Sequence, residues 1–269
     1  MKSTKLLSLA TFALAAPAAN AAAIVLYSSS FAGSSGTNLN TTAVTTSGAT
    51  GAQHTQYGTS ISATWSAATN FKANGSFTDG GTDATSRGSA TLGFTPQNGY
   101  VYNVTMTTNL VDNATSDPFH MVGFFMAPNY TIGPNLAGGA TVWALTRVGL
   151  PGFVDQVAHY LLAGGAGNFN PTNTVEDTTA PSTLRITLDT TGGTGNWAAT
   201  YYVGDGAGGF NSIGSVADLG AVDIESVGIG VNNRDQNYNF QSFELSVIPE
   251  PSAALLGGLG FLALLRRRR

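Results

Sequence analysis

Short runs in which apolar and polar residues take alternate places recur along this chain, and they limit its fold more than any other feature. Leu184, Ile186 and Leu188 alternate with Arg185 and Thr187, and Tyr100, Tyr102, Val104 and Met106 alternate with Val101, Asn103, Thr105 and Thr107. A repeat of two puts every second side chain on one face of an extended strand, so one face meets a core and the other meets solvent. A Gly-rich turn from Thr190 to Asn196 leads into Trp197, Ala199, Tyr201 and Val203 at the same spacing. That pair reads as a β-hairpin. Further candidate strands are Ile24–Ser28, Ile61–Trp65, Ala90–Thr95, Phe119–Met126, Thr141–Val148, Val157–Ala163, Val227–Val231 and Tyr238–Val247.

No stretch between residues 24 and 247 offers an amphipathic helical period with caps, and 34 Gly with 10 Pro favour turns over long helices. About eleven strands in one uninterrupted stretch, without a repeat of fixed period, predict a single all-β domain in which two antiparallel sheets pack as a sandwich. The Ser/Thr/Gly-rich segment from Ala32 to Gly58 is expected to be a long surface loop carrying one short edge strand.

Charge narrows the function. The eleven Lys and Arg are concentrated at the ends: Lys2 and Lys5 near the start, Arg266, Arg267, Arg268 and Arg269 at the finish. Between residues 24 and 247 there are five Lys and Arg against fourteen Asp and Glu, a net of −9. Such a body repels phosphate backbones and anionic lipid, which argues against a nucleic-acid partner. The chain has no Cys, so disulfides, thiolate metal sites and cysteine nucleophiles are all excluded.

The first 21 residues read as a secretory signal. Lys2 and Lys5 precede the apolar run Leu6–Ala16, and Ala19 and Ala21 are the small residues of a cleavage site that leaves Ala22 first. At the other end Pro249, Glu250, Pro251 and Ser252 precede an apolar run from Ala253 to Leu265, closed by the four arginines. Thirteen helical residues span ~20 Å, short of a ~30 Å hydrocarbon core, so a short hydrophobic helix is expected rather than a full span. Arginines stay on the cytoplasmic side and leave the body outside. Prolines on both sides of Glu250 fix an extended backbone with one carboxylate displayed, a shape an enzyme cleft can read.

The tail VIPEPSAALLGGLGFLALLRRRR resembles the PEP-CTERM sorting signal of Gram-negative bacteria. The resemblance implies recognition by a membrane-embedded exosortase, transient association with the inner membrane, removal of the tail, and delivery to the cell surface or exopolysaccharide matrix. The expected organisation is a signal peptide over 1–21, a β-sandwich over 22–247 and a sorting signal over 248–269. Within the body, TLRITLDTTGGTGNWAATYYVGDGAGGF, IESVGIGVNN and NFQSFELSV resemble the concanavalin A-like, laminin-G-type jelly roll. That resemblance implies two antiparallel sheets, one with a concave face, and first and last strands together at one edge.

Folds of this kind include glycoside hydrolases, whose chemistry needs paired carboxylates. Asp223 and Glu225 lie two apart and can share a strand face. They do not complete the Glu-x-Asp-x-x-Glu pattern common in such enzymes, because Gly228 holds its closing position. Exposed acids ahead of a strand are the plainer reading. His54 falls in a polar loop, and His120 and His159 fall in strand-like runs without close metal-ligand spacing. Asp79, Asp83 and Asp205 are candidate ligands for a structural calcium, although Asp-Gly is also common turn chemistry.

For sugar binding, Trp65, Trp143, Trp197 and Tyr202 are the candidate stacking rings. Trp197 shares parity with Tyr201, so a core on that face turns Tyr202 outward. The expectation from sequence is a non-enzymatic, secreted surface or matrix protein associated with exopolysaccharide. The alternatives are a lectin-like carbohydrate-binding module, with or without calcium, and a glycoside hydrolase.

Overall fold

The computed structural model describes residues 22–31, 38–67, 71–72, 74–76, 87–110, 119–126, 140–147, 156–161, 168–172, 182–220, 222–232 and 237–249. In chain order the first elements are β1 (Ile24–Ser30), helix α1 (Gly51–Gln56), β2 (Ser66–Ala67), β3 (Asn74–Ser76), β4 (Arg87–Gly93) and β5 (Val101–Leu110). Next come β6 (Phe119–Phe125), β7 (Ala140–Arg147), β8 (Gln156–Leu161), β9 (Asn168–Thr172) and β10 (Ser182–Asp189). The last are β11 (Ala198–Gly204), β12 (Phe210–Val216), β13 (Ser226–Asn232) and β14 (Asn237–Ile248).

These strands form two seven-stranded sheets. The first has the order β1-β14-β5-β10-β11-β12, with β3 also paired to β14; the second runs β2-β4-β13-β6-β7-β8-β9. Every strand pair is antiparallel, and the first strand lies against the last, with Ile24 opposite Val247. The expected two-sheet sandwich and its joined first and last strands are therefore both present.

Alternation explains why the sheets stack. Along β11 burial switches at every residue, and Leu184, Ile186 and Leu188 of β10 are buried while the residues between them are not. Their buried faces meet Leu92, Val122, Phe124, Val227 and Ile229 from the second sheet in one hydrophobic cluster. Aromatic rings pack within it: Phe94 lies edge-on to Tyr102 at 5.1 Å, and Trp65 lies edge-on to Phe243 at the same distance. Two polar side chains also cross the core. The Tyr27 hydroxyl of β1 donates to the Gly93 carbonyl of β4 at 3.0 Å, and Thr108 of β5 hydrogen-bonds His120 of β6.

Three expectations need correction. Ile61–Trp65 is not a strand: Ile61 is 58% exposed in a turn, and the segment is held by bonds such as Trp65 N–H to Thr42 O and Val44 N–H to Ala63 O. Within the expected loop over 32–58, the described residues 38–58 are not simply a loop, because Thr50 caps α1. Its hydroxyl accepts from Gln53 N–H, and the Gln53 side chain returns a bond to the Thr50 N–H, a two-way cap that satisfies donors a short helix leaves open.

His54 sits on α1 and is 1% exposed, stacked on Tyr27 with ring centroids 6.1 Å apart. Its Nε2 bonds Thr46 O and its Nδ1 bonds Thr59 Oγ1, so it ties the segment onto β1 rather than lying in a polar loop. Strands β2, β3, β9 and β12 were not expected; β9 contains Pro171, and the edge strand β12 lacks the alternation that marks a half-buried run.

Candidate functional site

Because Leu184, Ile186 and Leu188 point into the core, Thr183, Arg185 and Thr187 occupy the outer face of the first sheet. Strand register then decides what surrounds Arg185. Thr105 of β5 and Tyr202 of β11 lie directly opposite it; Glu244 of β14 lies opposite Thr105, Ser28 of β1 opposite Glu244, and Ser212 of β12 opposite Tyr202. One row thus crosses six strands.

Arg185 is fixed at the centre of that row. Its Nε donates to Thr105 Oγ1 at 3.3 Å, and its guanidinium carbon sits 3.6 Å above the centre of the Phe210 ring. Phe210 lies opposite Gly204, and a Cβ on Gly204 would come within 3.1 Å of Thr183 Cβ. With no side chain there, the aromatic ring reaches across β11 to the arginine. Half-burial pushes the guanidinium pKa down, while Glu244 and Tyr202 act to raise it. An arginine starts so high that it stays charged, and a flat cation on an aromatic face is held in one orientation.

Beside it runs a groove of about 380 Å³ bounded by Ser28, Ser30, Thr105, Arg185, Ser242 and Glu244. Arg185 and Glu244 form no direct ion pair among the described residues, so a donor fork and an acceptor carboxylate both face the groove. The flanking polar side chains bond each other: the Thr107 and Thr183 hydroxyls at 3.1 Å, and the Thr187 hydroxyl donating to Asn103 Oδ1 at 2.6 Å. The groove set is one guanidinium, one carboxylate and several serine and threonine hydroxyls. It suits recognition of a hydroxyl-rich ligand, since guanidinium donates to oxygen, carboxylate accepts from O–H, and serine does both.

The sequence-derived candidates are dispersed. Trp65 and Trp143 are each 1% exposed, which leaves neither ring a face for a sugar; both are corrected to buried residues. Trp197 is also largely buried, and its Nε1 donates to Asn98 Oδ1 at 2.8 Å. Its remaining edge joins Thr194, Gly195, Gly220, Val222 and Asp223 around a cleft of about 200 Å³ at one end of the sandwich. Tyr202 does face outward, beside Arg185.

Asp205 accepts from Ala207 N–H and Gly209 N–H, so its carboxylate shapes the β11–β12 turn, as Asp-Gly turn chemistry does. Asp223 and Glu225 are both exposed ahead of β13. Asp79, Asp83, Ala19, Ala21, Glu250, Pro251, Ser252 and the four terminal arginines lie outside the described residues.

Sequence reasoning missed Arg185, Glu244 and Phe210. Arg185 carried a usable signal, as a rare cation on the polar side of an alternating strand. Glu244 and Phe210 carried none, because register alone brings them to it.

Fold and groove together define a two-sheet antiparallel sandwich with a polar groove on one outer face. No protein-family model and no curated protein matches the sequence. Among solved structures the chain is similar to the CBM2 module of the evolved Dit of Lactobacillus casei BL23 phage J-1, at 9% identity, over 86% of this chain and 97% of that one, with a TM-score of 0.49. It is similar to the carbohydrate recognition domain of Emp47p (14% identity, 69% and 88% covered, TM-score 0.41). A lectin from Bauhinia forficata in complex with GalNAc is a third (15% identity, 70% and 93% covered, TM-score 0.41).

Proposed function

We propose that residues 22–247 form a non-enzymatic, lectin-like carbohydrate-binding module that acts outside the cell. The observation that carries this reading is Arg185, held over the Phe210 ring beside a groove that also presents Glu244 and the hydroxyls of Ser28, Ser30, Thr105 and Ser242. Protein sites for sugars need donors and acceptors fixed in place, because each must replace water on a ligand hydroxyl without loss. The test is titration of the full-length protein with a panel of bacterial and algal polysaccharides, with calcium and with chelator. Saturable binding that is lost in Arg185→Ala supports the reading; saturable binding unaffected by that change moves the site elsewhere, with the Trp197–Asp223 cleft next in line. No binding across the panel returns the protein to a purely structural role.

Display outside the cell rests on the two ends of the chain. The segment from Ile248 to Arg269 resembles an exosortase-processed sorting signal, and the first 21 residues have the charge, apolar run and small-residue site of a secretory leader. The reading is secretion across the inner membrane, removal of the tail by an exosortase-type enzyme, and a final place at the surface or in the exopolysaccharide of a Gram-negative bacterium. Replacing Glu250 with Ala in the native host should leave an unprocessed, membrane-held precursor; normal processing of that variant would sink the idea.

A further inference from the structure

Taking the carbohydrate-binding reading of the Arg185 groove as its base, we infer that the ligand is an internal stretch of a neutral polysaccharide, laid across the strands along the row from Ser28 to Ser212. The first support is geometric. Ser28, Glu244, Thr105, Arg185, Tyr202 and Ser212 lie on β1, β14, β5, β10, β11 and β12 as successive cross-strand partners. Neighbouring strands stand ~4.8 Å apart, so five intervals span ~24 Å, far longer than a single sugar ring. A pocket for a chain end would gather its polar groups around one point. Here they are strung out in a line, one to a strand.

The second support is charge. The groove holds one guanidinium and one carboxylate. The polar side chains on either side of the row are engaged with one another, Thr107 with Thr183 and the Thr187 hydroxyl with the Asn103 amide oxygen, rather than with any further charge. The body around it carries a net of −9 between residues 24 and 247. A polyanion would gain one partner in Arg185 and meet Glu244 and that field of like charge. A neutral chain meets neither obstacle, and it offers hydroxyls that accept from Arg185 and donate to Glu244.

The third support is the uneven chemistry along the row. The β1–β14–β5 half is serine, threonine and carboxylate, while the β11–β12 half presents the rings of Tyr202 and Phe210. With the Phe210 face covered by the guanidinium, Tyr202 is the ring left on this half for stacking against the C–H face of a sugar. A chain bound at Glu244 and Arg185 therefore reaches Tyr202 only if it is long enough.

The experiment is calorimetric titration of the full-length protein with neutral gluco-, manno- and xylo-oligosaccharides from disaccharide to octasaccharide, and with a polyuronate, at low and high salt. Affinity should rise with chain length and then level off, and it should change little with salt. Tyr202→Ala should weaken the octasaccharide about tenfold, a common effect of removing one well-placed ring, yet leave the disaccharide unchanged. Ser28→Ala at the opposite end is a milder second probe with the same expected dependence on length, and an unchanged melting temperature shows that either variant is folded.

A disaccharide that binds as tightly as the octasaccharide overturns the extended-chain inference while leaving carbohydrate binding intact. Polyuronate binding that falls steeply with salt overturns neutrality. Absence of binding to every sugar overturns the underlying reading itself.

Discussion

Arg185 shows how much one residue's surroundings add to its chemistry. An exposed arginine on a strand is an ordinary solvated charge; stacked on Phe210 and bonded to Thr105, it becomes a planar donor fork with little freedom to lose on binding. Arg185→Lys keeps the charge and loses the plane. We expect it to weaken glycan binding nearly as much as Arg185→Ala, by at least about tenfold, with both variants melting close to the native protein; titration and thermal melts check the pair.

His120 makes the opposite case, a titratable group kept neutral by the core. Burial pushes its pKa down from 6.5 to about 3. The unfolded chain takes up the proton first as pH falls, so this contribution is complete above pH 6.5 and is lost as pH drops towards 3. The loss amounts to as much as ~1.4 kcal/mol per pH unit within that window. Thermal melts across the window should show the decline, and His120→Gln, which can still bond Thr108, should lack this part of it.

At the scale of elements, strand pairing depends on where side chains are missing. Val142 and Ala144 of β7 enter the inter-sheet core, so Trp143 between them lies on the other face of the second sheet, where it is nonetheless buried. Opposite Trp143 stands Gly123 of β6, and opposite Gly123 stands Gly228 of β13. A Cβ on Gly123 would come within 2.7 Å of Trp143 Cβ and 2.8 Å of Val142 O, with backbone involved, so relief requires the strands to separate. Gly123→Ala should cost roughly 1–3 kcal/mol, the usual range for overfilling a packed site. A lower denaturation midpoint with unchanged slope would record it. In sequence, this GxG-poor stretch of β6 gives only a hint, a glycine in an otherwise bulky strand.

For the molecule as a whole, the pairing of β1 with β14 sets the traffic of the chain ends. Ile24 faces Val247, while Val101 pairs with both Ile248 and Asp189, and Asp189 pairs with Ala198. The start of the domain, its exit towards the tail and the Thr190–Asn196 turn therefore share one end of the sandwich. The Trp197 cleft is at that end, whereas Arg185 lies four residues up β10, ~13 Å along the strand at ~3.3 Å per residue. A body tethered by its tail would keep the Arg185 groove on its side, clear of the tether. The close ends also predict that a circular permutant, joined from Pro249 to Ala22 by a short Gly-Ser linker and opened in the exposed turn between Asp205 and Gly209, folds. A cooperative melt within a few degrees of the native protein is the expected outcome, and loss of β-sheet circular dichroism would show that the ends do not meet in this way.

The amino-acid sequence by itself determined the class of fold. Period-two alternation in β5, β10 and β11 says which side chains face inward whatever their neighbours are, because that property belongs to a single extended strand. It likewise turned Tyr202 outward once Trp197 was taken as core, and it marked β14 and β13 within a residue or two of their ends. It did not distinguish Trp65 and Trp143 from surface rings, because an indole reads alike in a core and on a binding face, and only packing on both sides buries it. Nor did it reveal β12, an edge strand with neither face fully buried, or the capped turn of helix that seats His54.

The groove is tertiary throughout. Arg185, Thr105 and Glu244 are separated by 80 and 139 positions along the chain, and nothing local relates them. What brings them into one row is inter-strand register, fixed when every buried face meets the same core at once.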